Sequence, residues 1–141
     1  MKILCLQENL KDNLLSLERA TSKNQTMPIL HNILLKTNGG FVNAFATDLE
    51  IGIENKISCK VEKQGEVVIP IKTLLQFIQN LPNTKITLET KNNTLYIETD
   101  QNKTKIPTIN TNEFPLIPKI QHTKTIEIKN GMVLKNALQQ V

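Results

Sequence analysis

Glu66-Val67-Val68-Ile69-Pro70, then Ile71-Lys72-Thr73-Leu74-Leu75-Gln76-Phe77-Ile78-Gln79-Asn80-Leu81, then alternating segments around Ile86–Leu88 and Leu95–Ile97 and a last run from Lys103 to Ile109, read as strand, helix, strand, strand, strand. The first run is β-branched and ends in proline. Ile71, Leu74, Leu75 and Ile78 follow at i, i+3, i+4 and i+7, which makes one apolar stripe on a helix. Leu81-Pro82-Asn83 closes that helix, because a residue before proline is driven out of the α region. Ile86 and Leu88, then Leu95 and Ile97, alternate with polar residues across Lys91-Asn92-Asn93-Thr94, where paired Asn suits a tight hairpin turn. Pro107 inside the last run marks it as a sheet edge.

The chain before Glu66 repeats this order. Lys2 to Leu6 is an apolar strand candidate. Asn9, with Asp12 three residues on, predicts the start of a helix running from about Leu10 to about Ala20, with Leu10, Leu14 and Leu17 as its buried stripe. Thr21 to Met27 is polar and aperiodic, and Pro28 ends that loop. Ile29 to Lys36 and Phe41 to Ala46 flank Asn38-Gly39-Gly40, a hairpin signal because Gly and Asn accept positive φ. Leu49, Ile51 and Ile53 then alternate with polar residues, and the alternation continues through Lys56 to Val61, predicting one more half-buried strand. Two such units are expected to pack their helices side by side against a shared sheet layer, which gives an α+β fold of two βαβββ units.

After Pro115 and Pro118 the pattern begins a third time. Lys124 to Ile128 reads as a strand and Met132 to Val141 as a helix, with Leu134, Lys135, Leu138 and Val141 matching Leu10, Lys11, Leu14 and Leu17 at a constant offset of 124. A strand and an unfinished helix bury nothing alone. The chain is therefore expected to be a fragment of a longer protein whose next domain begins near Lys124.

The 141 residues carry a net charge of +4, but unevenly. Residues 1–70 hold eight Lys and Arg against eight Asp and Glu, whereas 71–141 hold nine against five. Sixteen of the seventeen basic residues are Lys, a phosphate point charge rather than a bidentate reader of bases, so contact with a polyanion would be directed at its backbone. No apolar run has the length of a membrane span, and the N-terminal apolar stretch is too short for a signal sequence. Cys5 and Cys59 fall in predicted strands with no metal-type spacing; they read as structural thiols, and a reduced, cytoplasmic setting fits them.

No catalytic constellation emerges. His31 and His122 lack a second ligand at metal spacing, Gly39-Gly40 is a turn rather than a phosphate loop, and no metal or other cofactor is expected. Asp48 and Glu50 share a strand face at i, i+2, but Asp48 follows Thr47 at the turn into that strand, where a short carboxylate commonly accepts from nearby backbone N–H groups. The remaining functional candidate is a polar helix face: Lys72, Gln76 and Gln79 lie opposite the apolar stripe, and Arg19 and Lys23 extend the positive surface.

Met27-Pro28-Ile29-Leu30-His31-Asn32-Ile33-Leu34-Leu35, Ala46-Thr47-Asp48-Leu49-Glu50-Ile51, Val67 to Leu75 with Leu81-Pro82, and Glu113-Phe114-Pro115 resemble, in order and at family spacing, the first domain of the bacterial sliding clamp, the β subunit of DNA polymerase III. The resemblance implies the DNA-clamp fold, in which three such domains make a crescent and two crescents close into a ring around duplex DNA. It implies a non-catalytic processivity role in DNA replication at the replisome, with helices lining the hole. DNA contacts would fall on the loop after the first helix, here Lys23 and Asn24 where the family often has Arg, and on the start of the second, here Lys72 and then Thr73 where Lys is frequent. Lys103, Lys105 and Ile106 would lie on the sheet edge that pairs with the other subunit of a homodimer, with Pro107 a departure. The pocket for polymerase and clamp-loader peptides would belong to later domains, so this chain alone is expected to be monomeric or weakly associated and to bind DNA poorly. A stand-alone interaction module of the same pseudo-symmetric build is the alternative reading.

Overall fold

The computed structural model describes residues 1–21, 27–116 and 127–140. Its strands are β1 (Lys2–Leu6), β2 (Asn32–Asn38), β3 (Phe41–Thr47), β4 (Gly52–Ser58), β5 (Lys60–Lys63), β6 (Glu66–Pro70), β7 (Lys85–Lys91), β8 (Thr94–Glu98) and β9 (Lys103–Pro107). The helices are α1 (Gln7–Glu18), α2 (Ile71–Gln79) and α3 (Gly131–Gln139), with two short 3-10 turns at Pro28–His31 and Thr111–Glu113.

The strands form two antiparallel sheets rather than one shared layer, and each unit lends its first strand to the other. The five-stranded sheet runs β5-β1-β7-β8-β9 and the four-stranded sheet β4-β3-β2-β6. So β1 pairs with β7 of the second unit, while β6 pairs with β2 of the first. The exchange extends one step further. After β4 the chain crosses to pair β5 with β1, and after β9 it crosses to bridge Ile109 with Val68 of β6. Neither half can keep its sheet without the other, which welds two sequence repeats into one cooperative core.

That core gathers Leu10, Leu14 and Leu17 of α1, the complete stripe Ile71, Leu74, Leu75 and Ile78 of α2, and inward residues of both sheets, among them Ile3, Leu35, Val42, Leu88 and Ile97. The helices lie side by side. The Gln7 side chain donates to the Ile78 carbonyl at 2.8 Å, and its backbone N–H donates to the Thr84 carbonyl at 2.9 Å, so the start of α1 abuts the end of α2.

Several local expectations differ from the structure. The first helix begins at Gln7, before Asn9, because the Thr84 carbonyl and not a capping side chain takes an N-terminal donor. Ile29 belongs to the 3-10 turn Pro28–His31, held by the Asn32 amide, which donates to the carbonyls of Pro28 at 3.0 Å and Ile29 at 2.9 Å. Leu49 and Ile51 are not strand residues: β4 starts at Gly52, and both side chains are exposed, at 58% and 59%. The alternation from Lys56 to Val61 also breaks, since Cys59 separates β4 from β5 and the two strands serve different sheets. A single-sequence period continues across that crossover because both strands direct the same parity of residue to the core. The last run is a strand only to Pro107, followed by the isolated bridge at Ile109.

Both hairpins form as read. Asn92 and Asn93 adopt φ of 48° and 56°, the two successive left-handed residues that a type I′ turn requires. Gly39 has φ of 61° at the first turn position between β2 and β3. Of the third repeat, residues 124–126 of the expected strand lie outside the described residues, and Glu127 and Ile128 are not in a strand. The helix runs from Gly131 to Gln139, N-capped by the Asn130 side chain accepting from the Met132 N–H at 3.1 Å, with no buried residue.

Candidate nucleic-acid interface

The candidate surface begins with α2. Because its stripe is wholly committed to the core, Lys72, Gln76 and Gln79 are left exposed together on the opposite face, with Thr73 beside Lys72. The helix opens at Pro70 with no side-chain cap, so the ammonium of Lys72 and the uncapped first turn share one end, an arrangement suited to a phosphate oxygen. Arg19 is exposed just past the end of α1. Lys23 and Asn24 lie outside the described residues.

The electrostatics of this surface are mild. On α1, Glu8 and Asp12 are exposed while Lys11 is only half exposed, and these carboxylates offset Lys72 and Arg19. Four ion pairs occur among the described residues, all on strands: Lys2–Glu62 at 2.8 Å, Lys36–Glu66 at 3.0 Å, Lys91–Glu89 at 2.8 Å and Lys103–Glu98 at 3.3 Å. Neither Lys72 nor Arg19 is in one, which leaves both cations available to solvent or ligand.

The second candidate surface is the β9 edge. β9 ends the five-stranded sheet and pairs on one side only, with β8, in the register Thr94↔Pro107, Tyr96↔Lys105 and Glu98↔Lys103. The flanking bonds fix which pairs exchange hydrogen bonds. Thr108 N–H donates to the Asn93 carbonyl at 3.0 Å and Thr99 N–H to the Asn102 carbonyl at 2.8 Å, so the bonded pairs are those of Leu95 and Ile97 with Ile106 and Thr104. The main-chain groups of Lys103, Lys105 and Pro107 therefore point outward. Pro107 consequently costs the β8–β9 ladder nothing, because its missing N–H would have faced the open side. Lys103 and Lys105 are exposed, whereas the Ile106 side chain is 3% exposed and belongs to the core. Sequence reading grouped the three residues; the pleat separates them.

The Asp48 carboxylate closes a turn. It accepts from the N–H groups of Glu50 at 3.0 Å and Ile51 at 2.7 Å, and these bonds hold it below the usual carboxylate range. Thr47 Oγ1 accepts from Leu49 N–H at 3.0 Å and donates to the Ile51 carbonyl at 2.8 Å, fixing Leu49 at φ of 77°. Asp48 is thus the turn carboxylate that its sequence position suggested, whereas Leu49 and Ile51, read as strand alternation, are exposed residues of the turn itself. A cleft of about 390 Å³ opens where the Asn92–Asn93 turn meets Ile109. Its lining includes one carboxylate, Glu66, which is engaged by Lys36 at 3.0 Å. No group of three metal-ligating side chains occurs among the described residues. Nor is any helix there long and apolar enough to cross a membrane.

Two interleaved βαβββ units, with paired helices and an open edge strand on each sheet, define a DNA-clamp domain. Residues 1–118 match the family model for the DNA polymerase III beta subunit, N-terminal domain, and the chain belongs to that family. It is 30% identical to the beta sliding clamp of Helicobacter pylori over 142 aligned positions, covering 100% of this chain and 38% of that protein. Against the beta sliding clamp of Synechococcus elongatus identity is 27% over 138 positions, covering 96% of this chain and 37% of the relative. Among solved structures, the Helicobacter pylori beta clamp bound to a DNA ligase peptide superposes with a TM-score of 0.81 at 30% identity, over 86% of this chain and 34% of that one. A DNA polymerase III beta subunit from Eubacterium rectale gives 0.85 at 27% identity, over 89% and 35%. The chain thus spans little more than a third of the length of these relatives.

Proposed function

We propose that this chain is the first domain of a replication processivity factor whose full-length form is a ring-shaped homodimer encircling duplex DNA and tethering DNA polymerase III in the cytoplasm. The match of residues 1–118 to the clamp family carries this reading. In it, residues 1–122 form the first domain and 123–141 begin the second. The scaffold works by enclosure and has no catalytic step.

The geometry suits that role in two ways. β9 ends the five-stranded sheet and β4 the four-stranded one, so each sheet offers a terminal strand for pairing with a further domain, which is what closing a ring from repeated domains demands. β9 is the edge assigned to the partner subunit, through the outward backbone of Lys103 and Lys105. The helix face bearing Lys72, Gln76, Gln79 and Arg19, with Lys23 and Asn24 in the following loop, would then look toward DNA. Its near-balance of charge fits a sliding surface, since topological linkage retains the duplex while tight phosphate contact would oppose movement. The polymerase subunit and the clamp loader would dock on later domains.

The test uses the full-length gene product, loaded on nicked circular DNA with its clamp loader. Protein that stays on circles and is released when a nuclease linearises them is the expected result. Retention after linearisation would overturn the sliding mechanism.

A further inference from the structure

The strand exchange brings together the chain's two cysteines. β5 pairs with β1 in the register Ile3↔Val61 and Leu4↔Lys60, so the next step places Cys5 opposite Cys59, the single residue joining β4 to β5. The type of pairing follows from the other side of β1. Thr90 N–H donates to the Met1 carbonyl and Gln7 N–H to the Thr84 carbonyl, each at 2.9 Å, so the odd residues of β1 turn their main-chain groups toward β7. Continued one residue past its last paired step, Leu4↔Lys60, that register makes Cys5 and Cys59 neighbours of the non-hydrogen-bonded type, for which facing Cα atoms are about 4.5 Å apart and side chains are closest. Disulfides span Cα separations of about 4.4–6.8 Å, so this site falls within reach at the short end.

Both side chains share the inner face of the sheet. Cys5 is 5% exposed and Cys59, half-buried, packs against the same core. Burial pushes the Cys5 thiol up to about 12, with the neighbouring Cys59 charge adding to the effect, which agrees with their closeness.

We propose that Cys5 and Cys59 are a cross-strand dithiol built to close into an intramolecular disulfide by exchange with a small-molecule disulfide. The Cys59 thiolate, the more exposed of the two, attacks one sulfur of the reagent, forming a mixed disulfide and releasing one thiol. Cys5 then gives up its proton and attacks the Cys59 sulfur, forming the internal bond and expelling the second thiol. The protein sulfurs are oxidised, the reagent's disulfide is reduced to two thiols, and each cysteine proton passes to a released thiolate. The bond would pin the point at which the chain leaves the four-stranded sheet for the five-stranded one.

The experiment treats the folded chain with oxidised glutathione, traps remaining thiols with an alkylating agent after denaturation, and reads the intact mass and a non-reducing digest. The expected product has lost two hydrogens, takes up no alkyl group and links the peptides of Cys5 and Cys59. Its thermal midpoint rises on the order of 5–10 °C and returns on reduction. In Cys5→Ala the reaction stops at the mixed disulfide on Cys59. In urea the wild-type yield of the internal bond falls at least about tenfold, because the strands no longer hold the pair together. A persistent mixed disulfide or an intermolecular dimer in the folded wild type would overturn the proposal, as would equal yields folded and unfolded.

Discussion

Gln7 at the start of α1 donates its side-chain amide to the carbonyl of Ile78 at the end of α2, at 2.8 Å and with Gln7 only 5% exposed. One buried polar contact thus joins the helices of the two sequence repeats where their apolar stripes alone would permit sliding. Replacing Gln7 with Ala removes this bond, leaves the Ile78 carbonyl the longer bond from the Leu81 N–H at 3.3 Å, and is expected to destabilise the chain by about 0.5–1.5 kcal/mol. Urea unfolding should show a lower midpoint with an unchanged slope. An unchanged midpoint would mean that the Leu81 N–H and water satisfy that carbonyl as well as Gln7 does.

The two faces of α2 should separate cleanly. Leu74→Ala empties a fully buried position in the core and is expected to cost about 2–5 kcal/mol. Lys72→Gln lies on the exposed face and should stay within about 0.5 kcal/mol of wild type. In the proposed full-length ring, Lys72→Gln should weaken retention on DNA and lower the salt dependence of binding by about one phosphate contact. A Lys72→Gln variant with an unaltered salt slope would exclude this residue from the DNA-facing surface.

Most of the fold could be read because both helix stripes and both hairpin turns rest on local chemistry: apolar spacing at Ile71, Leu74, Leu75 and Ile78, and residues tolerant of positive φ at Gly39, Asn92 and Asn93. The exchange of first strands could not, since period two says which face of β1 is buried but not whether β2 or β7 lies beside it. The break at Cys59 was hidden for a related reason: the core-facing parity is the same on both sides of it. Of the site, Lys72, Gln76 and Gln79 were legible as the complement of a buried stripe. Ile106 was placed with Lys103 and Lys105 by position along one strand, yet its side chain turns inward. Asp48 was legible as a turn carboxylate, but Leu49 and Ile51 were placed in the following strand because exposed Leu and Ile at alternate positions imitate a half-buried strand.

That turn predicts a pH-dependent contribution. Backbone N–H groups of Ile51 and Glu50 depress the Asp48 pKa, so the stability it adds is present above the ordinary carboxylate pKa and is lost as pH falls through the lowered folded value. Asp48→Ala should therefore be less stable than wild type at neutral pH, with the gap narrowing in acid. Asp48→Asn, which keeps an acceptor oxygen, should fall between them. A gap that does not change with pH would mean that the charge of Asp48 contributes nothing.

Leu49 offers a test in the opposite direction. Its φ of 77° is unfavourable for a branched side chain, and its side chain, 58% exposed, recovers little by burial. Leu49→Asn is expected to raise stability by about 0.5–1 kcal/mol, since Asn visits this region readily. Thermal unfolding of the chain reads this directly, and a lowered midpoint would show that the exposed leucine packs more than its accessibility suggests.

The outward and inward halves of β9 give the sharpest contrast. Lys105 sits opposite Tyr96 at a non-hydrogen-bonded pair, so its N–H faces the open edge, whereas the Thr104 N–H points to Ile97 inside the ladder. Lys105→Pro should then cost the isolated chain less than about 1 kcal/mol, as Pro107 already shows the position type to be permissive. Thr104→Pro removes a ladder bond, strands the Ile97 carbonyl and should cost about 3 kcal/mol or more. In the proposed full-length dimer the order reverses for assembly. With Pro107 beside it, Lys105→Pro leaves Lys103 as the only outward donor among residues 103, 105 and 107, and sedimentation should show a dimer that dissociates at concentrations where the wild type does not. Equal dimer stability in Lys105→Pro and wild type would remove the β9 edge from the subunit interface, while leaving the register of the sheet itself untouched.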